Sequence, residues 1–208
     1  MGKFTKPIVM IDFETTGLSP DMGDRVTEVA ALRIAGGRVV ERYVSLINCH
    51  VRIPSFITEL TGITQAMVNG APACSVVIPE LLRFIGTDAL AAHNASFDEK
   101  FLLAESRLQG LQPGHQGLIC SLKLSRRIFP GLPSYKLGTL SANLGVRFNS
   151  AAHRAEADAE VAAQVLLRIG QQLGDSYGMT SIAPDMLVAL NRLSAAKVPV
   201  FLRKQALG

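Results

Sequence analysis

Four acids and one histidine carry the chemistry open to this sequence. Asp12 and Glu14 are two residues apart at the end of Pro7-Ile8-Val9-Met10-Ile11, Asp98 follows His93-Asn94, and Asp158 follows His153 by five positions. In an extended run alternate side chains share a face, so Asp12 and Glu14 prolong the face of Ile8 and Met10. Like charges about 7 Å apart on a half-buried surface are unfavourable unless cations or donors compensate them. Read alone, the segment equally suits a strand that ends in a polar loop.

Two helical segments repeat the anomaly. Asp158, Val161, Ala162, Val165, Leu166 and Ile169 fall on one face of a helix, with Asp158 the lone acid at the head of an apolar stripe. Asp98 lies in the first turn of another helix and shares its face with Phe101 and Leu102. The helix dipole alone would favour either acid. Three elements that each aim carboxylates at an apolar layer have a common explanation in hard divalent cations held by oxygen ligands. His153, at the very start of its helix, can stand beside such a cluster as a general base, because its pKa is tunable near neutrality.

The elements that would position these groups follow from periodicity. Pro7 to Glu14 reads as a buried strand, and Val26 to Ile34 and Arg38 to Ile47 read as a hairpin around Gly36-Gly37. The period then changes to helical over Ser75 to Ile85, Ser96 to Gln109, Ser121 to Phe129 and Lys136 to Leu144. A short strand Ala89 to His93 and a weaker one at Leu118 to Cys120 lie between them. Ser96 with Glu99 spells a capping box, and Gly110 sits where that helix should stop. A long helix is expected from Ala155 to Leu173, a linker at Asp175 to Gly178, and a further helix over Pro184 to Ala196. Hairpin strands followed by alternating strand and helix predict an α/β fold with a mixed sheet flanked by helices. Residues 1–175 form one domain in this reading and 176–208 a C-terminal extension.

Composition narrows the class. The 208 residues are 48% hydrophobic, enough for a sizeable core, and exclude a disordered or collagen-like chain. No apolar run approaches a membrane span and the N-terminus does not read as a signal peptide, so a cytoplasmic protein with no membrane partner is expected. Cys49, Cys74 and Cys120 are odd in number and far apart, which indicates neither a disulfide framework nor a zinc site. The net charge of +4 permits a polyanionic partner without demanding one. P-loop, dinucleotide-binding, zincin and nucleophile-elbow motifs are all absent.

Asp12-Phe13-Glu14-Thr15-Thr16-Gly17-Leu18, His93-Asn94-Ala95-Ser96-Phe97-Asp98 and His153-Arg154-Ala155-Glu156-Ala157-Asp158 resemble, in order, the three motifs of the DnaQ-like DEDDh 3′→5′ exonucleases. That family includes the proofreading epsilon subunit of DNA polymerase III, ribonuclease T and oligoribonuclease. The resemblance extends to about residue 173, because Leu60-Thr61-Gly62-Ile63-Thr64 and Tyr135-Lys136-Leu137-Gly138-Thr139-Leu140 also match family segments.

The resemblance implies a ribonuclease H-like fold with a five-stranded sheet, three strands antiparallel and the remainder parallel. It implies that Asp12, Glu14, Asp98 and Asp158 hold two Mg²⁺ or Mn²⁺ ions and that His153 is the general base. Thr15, Leu18, His93, Asn94 and Phe97 would line the pocket for the terminal nucleotide, although Phe97 also suits the core, Leu18 a loop anchor and Asn94 a turn. The implied activity is release of 5′-mononucleotides from 3′ ends of single-stranded or frayed DNA. An RNA-trimming or oligonucleotide-degrading relative ranks second, and a non-catalytic nucleic-acid-binding or polymerase-accessory module third. Lys123, Arg126, Arg127 and Lys136 could escort phosphates, or form a solvated face, and Glu28 reads as structural support. Cys120-Ser121 and Thr61-Gly62 depart from common family residues without touching an expected metal ligand. The family's partners include a second copy of the chain or a polymerase. The tail shows no clamp-binding peptide and is short for polymerase docking, so a free-standing exonuclease is expected.

Overall fold

The computed structural model describes residues 2–146 and 153–206. Strand β1 (Lys3–Phe4) leads into β2 (Ile8–Thr15), and β3 (Val26–Ala35) and β4 (Arg38–Leu46) form the hairpin. Ala35 pairs with Arg38 across Gly36 and Gly37, whose φ values of 59° and 82° meet the demand of a two-residue turn for two left-handed residues. Helices α1 (Ser55–Thr61), α2 (Gln65–Asn69) and α3 (Cys74–Ile85) precede β5 (Ala89–Ala92), and α4 (Ser96–Leu108) leads to β6 (Leu118–Cys120). Then come α5 (Ser121–Ile128), α6 (Leu137–Asn143), α7 (Ala155–Tyr177), β7 (Ser181–Ile182), α8 (Pro184–Arg192) and α9 (Val198–Ala206).

The main sheet has the order β4-β3-β2-β5-β6, with the first two pairings antiparallel and the last two parallel. This is the mixed five-stranded sheet expected of the α/β reading. Period-two alternation sorts its side chains into two layers. Ile8, Met10, Leu32, Ala91 and Ile119 pack with Val165, Leu166 and Ile169 of α7. Val9, Ile11, Val29, Leu90 and Ala92 pack with Val77, Ile78 and Leu81 of α3 and with Phe101 and Leu102 of α4. A core helix therefore covers each face, and both α4 and α7 begin at the rim where β2 and β5 end.

Several local expectations change. Ser96 is already helical and caps nothing; Asn94, at φ 72°, makes the turn, and its carbonyl accepts the Phe97 N–H at 2.9 Å. The expected linker at 175–178 is the end of α7, which runs to Tyr177 because Leu173 and Tyr177, four residues apart, both reach the core. Gly178 in the left-handed region then closes it. The expected helix 184–196 stops at Arg192, because Leu193 adopts extended backbone, and α9 follows after a single 3-10 turn. Helices α1 and α2 and the parallel pair β1-β7 have no counterpart in the periodicity reading.

The C-terminal residues join the core. Met186, Leu187, Leu190, Val198 and Leu202 pack in the α7 layer. Asn191 donates its amide to the Cys120 carbonyl at 3.1 Å and accepts the Cys120 N–H at 2.8 Å, closing the outer edge of β6. Arg127 does not face a groove: its guanidinium donates to the Leu193 carbonyl at 3.0 and 2.6 Å and to the Lys123 carbonyl at 2.7 Å, so it fastens the extension. Leu190 is fully buried, and Leu190→Ala should cost about 2–5 kcal/mol of stability by urea denaturation. An unchanged midpoint would mark the extension as an appendage.

Candidate active site

The site is built on the bend at the end of β2. Asp12 pairs with Ala30 and Glu14 with Glu28 across the antiparallel ladder, and the register shifts between Glu14 and Thr15. Such a bulge twists the strand end and re-aims its side chains. One carboxylate oxygen from each of Asp12, Glu14 and Asp158 lies within 4.8 Å of the others. Asp98 comes from the opposite layer and meets the group over the rim: it is buried, and its Oδ1 accepts the Phe13 N–H at 3.3 Å. Asp12, Glu14 and Asp158 thus form one group, and Asp98 lies outside that 4.8 Å set but near enough for its charge to act on Asp12.

His153 is exposed, at φ 63°, and its backbone N–H donates to Asp158 Oδ2 at 3.0 Å. Next to it, Arg154 Nε donates to Glu28 Oε2 at 3.0 Å, and the same oxygen accepts the Ala155 N–H at 2.9 Å. Glu28, only 3% exposed, therefore ties the first turn of α7 to β3. This gives the supporting role read for Glu28 a partner, Arg154, which the helical pattern did not single out. Helix α4 is tied down in the same way, since Arg25 donates twice to Glu105 at 2.8 Å and Glu105 also accepts the Val26 N–H at 3.3 Å. Glu105 is 1% exposed and was not picked out from the sequence; its spacing from Phe101 and Leu102 was the available signal.

The five residues expected around a nucleotide divide into two groups. Leu18 is fully outside the core at 78% exposure, and its carbonyl accepts from Lys100, whose ammonium lies 5.0 Å from the centre of the Phe97 ring. Phe97 packs on Phe101 with ring centres 5.1 Å apart. Thr15 is buried, and its hydroxyl donates to the Gly17 carbonyl at 2.6 Å, shaping the same loop. His93 and Asn94 lie on the side of β6 instead. The His93 ring nitrogens are both engaged, Nδ1 with Ser121 Oγ and Nε2 with the Tyr135 carbonyl, each at 2.9 Å. His93 is thus a brace in a wall, and burial pushes its pKa down.

Electrostatics marks the carboxylates as a set that wants cations. Burial pushes Asp98 up to about 8, against the lowering effect of the Phe13 N–H. Burial, followed by the charges of Asp158 and Glu28, pushes Glu14 to about 7 despite Arg154. Asp12 is raised well above the usual carboxylate range by burial and then by Asp98, Asp158 and Glu14, and burial raises Asp158 too. The all-oxygen donor set fits hard divalent cations, and no sulfur or imidazole joins the clustered carboxylates among the described residues.

Because these pKa values are higher folded than unfolded, the metal-free folded state holds more protons between about pH 4 and 8, and its stability falls as pH rises through that window. The melting temperature of metal-free protein should drop from pH 6 to pH 8.5, and Mg²⁺ or Mn²⁺ should restore it. Asp98→Asn, which keeps an acceptor for Phe13, should raise the metal-free melting temperature at pH 8.5. A flat profile insensitive to metal would contradict this account.

Comparison with known proteins agrees with the geometry. The model of the exonuclease family that includes ribonuclease T matches residues 9–166. DNA polymerase III subunit epsilon of Aquifex aeolicus (strain VF5) is 35% identical over 171 residues, covering 82% of this chain and 84% of that protein. The 3′-5′ exonuclease DinG of Bacillus subtilis (strain 168) is 38% identical over 165 residues, 79% of this chain but only 18% of the larger relative. Among solved structures, exonuclease X in complex with 5′ overhanging duplex DNA superposes with a TM-score of 0.70 at 27% identity, covering 88% of this chain and 99% of that one. With the ribonuclease H-like sheet, the converging acids and these relatives in agreement, the chain belongs to the DnaQ-like 3′→5′ exonuclease family and is a nuclease.

Proposed function

We propose that the chain removes 5′-mononucleotides from the 3′ ends of single-stranded or frayed DNA, with two divalent cations and a histidine base. The observation that carries this reading is the convergence of Asp12, Glu14 and Asp158 within 4.8 Å, with Asp98 at their edge. Mg²⁺ or Mn²⁺ bound there would supply Lewis-acid polarisation of the phosphodiester and make water a better nucleophile at neutral pH. Asp12, Glu14, Asp98 and Asp158 would hold the ions, and their raised pKa values mean that binding displaces protons.

The residues of the chain then divide the work. His153, exposed beside Asp158, takes the proton from the attacking water, a role that typically contributes about 10²–10⁴-fold. Glu28 and Arg154 hold the turn that carries it. Leu18 and Phe97 flank the terminal nucleoside, Thr15 shapes that loop, and Asn94 offers an exposed amide on the other side. Residues 1–175 carry the reaction and 176–208 brace the sheet edge.

DNA ranks before RNA because exonuclease X was solved in complex with duplex DNA and the Aquifex relative is named as a DNA polymerase III subunit. Asp12→Ala and Asp158→Ala should each lower Mg²⁺-dependent mononucleotide release by about 10³-fold or more while the protein stays folded. Undiminished wild-type turnover in excess chelator would overturn the metal role. His153→Ala should lose about 10²–10⁴-fold in rate with divalent cations still raising its melting temperature; an unchanged pH–rate profile would remove it from the base role. Side-by-side digestion of 5′-labelled single-stranded DNA, RNA and dinucleotides should favour DNA, and faster loss of RNA would reverse the ranking.

A further inference from the structure

The loop between β2 and β3 is fastened at its footing and exposed at its tip. Asp24 accepts the Ser19 N–H at 2.9 Å and the Thr16 hydroxyl at 3.4 Å, and the Thr16 oxygen in turn accepts the Arg25 N–H at 3.0 Å. The chain passes so close over Asp24 that a Cβ added at Gly17 would collide with both of its carboxylate oxygens. A side chain there would have to dislodge the group that holds the loop. Beyond this footing stand Leu18 at 78% exposure and Met22 at 83%.

Helix α4 reaches the tip through Lys100, whose ammonium donates to the Leu18 carbonyl. The same ammonium lies 5.0 Å from the centre of the Phe97 ring and 5.6 Å from that of Phe101. Residues 97, 100 and 101 are spaced i, i+3 and i+4, so they share one side of the helix, and the cation is drawn to the electron-rich ring faces. Among the described residues Lys100 has no carboxylate partner. Among the same residues no other hydrogen bond joins 17–24 to α4. Phe101 is fully buried, so the cation takes its place from a fixed ring and passes it on to the loop. Lysine heads ordinarily stay in water while their stems cover apolar surface. This one is half-buried and held between a backbone carbonyl and two aromatic rings.

We infer that Lys100 is a positioning residue for recognition of the 3′-terminal base. The inference rests on the proposed reading of Leu18 and Phe97 as the two flanks of the terminal nucleoside. Lys100 contacts both flanks, one at its backbone and the other at its ring, and therefore sets how far apart they stand. A base that enters between an aliphatic and an aromatic side chain gains contact on both of its faces only when that gap is held. Without the ammonium the loop keeps its footing at Asp24 and loses its tie to α4. Lys100 thus acts through Leu18 and Phe97 and does not touch the scissile phosphodiester. The selectivity it confers is for a terminal residue that carries a base over one that lacks it.

The test compares wild type with Lys100→Met and Lys100→Arg in Mg²⁺ on two 5′-fluorescent oligothymidylates of equal length. One ends in thymidine; the other ends in a tetrahydrofuran residue that keeps the 3′-hydroxyl and has no base. Removal of the terminal residue is followed on each. Wild type should favour the thymidine end by about fivefold or more in kcat/KM, the smallest effect expected of one stacked base. Lys100→Met should bring that ratio to within about twofold of unity, chiefly by raising KM for the thymidine end. Lys100→Arg, which keeps a cation and its donors, should restore most of the preference. A wild-type ratio retained in Lys100→Met overturns the positioning role. Equal losses on both ends, as a phosphate contact or a general structural fault would give, overturn it as well. Wild-type inactivity on both substrates would instead sink the exonuclease reading. Anisotropy of the two oligonucleotides in Ca²⁺ then decides the role of Lys100 alone: tighter binding of the thymidine end that Lys100→Met abolishes upholds it, and equal or absent binding of the two ends by wild type rejects it.

Discussion

Four carboxylates forced together at one end of a sheet are the constraint to which the rest of this structure answers. Their mutual repulsion and their removal from water both oppose the arrangement, and neither is relieved by a cation pairing directly with Asp12 or Asp98 among the described residues. What the fold supplies is partial and comes from the backbone: the Phe13 N–H on Asp98, the His153 N–H on Asp158, and the positive ends of α4 and α7, whose first turns carry these two acids. The remaining tension is stored for an ion. Stability is given up at the place where chemistry needs a high local negative charge.

Holding such a cluster requires that helices from opposite layers start at the same height. Each is pinned by its own buried glutamate, α7 through Glu28 and Arg154 and α4 through Glu105 and Arg25. Both glutamates also accept a backbone N–H, so they fix the position of the chain as well as neutralising an arginine. In each pair the glutamate is buried and the arginine partly exposed, so it is the carboxylate that loses its compensation when the partner is removed. The two clamps are the framework on which the reactive groups are aligned.

The parts of this arrangement legible in the sequence are those written by periodicity. Alternation in β2 put Asp12 and Glu14 on the face of Ile8 and Met10, and the stripe from Asp158 to Ile169 aimed α7 at the same layer. The glycine pair fixed the hairpin. What periodicity could not carry was pairing across long separations: Arg25 with Glu105 and Arg154 with Glu28 are 80 and 126 residues apart. Short elements were equally silent, because β1, β7, α1 and α2 hold two to seven residues, less than two helical turns or a countable alternation. Arg127 read as a free surface charge because its partner is a backbone carbonyl, which leaves no mark on composition.

The amide of Asn191 has a consequence at the far side of the sheet. Satisfying both the N–H and the carbonyl of Cys120, it imitates one rung of a neighbouring strand and terminates the row of donors and acceptors there. At the opposite margin, β4 turns Arg38, Glu41 and Arg42 to solvent. One margin is capped at Cys120 and the other sets charges among the exposed Val40 and Val44, so both are blunted against edge-to-edge stacking. A molecule that must tolerate concentrated negative charge in its interior is thereby also guarded against fibrous self-association.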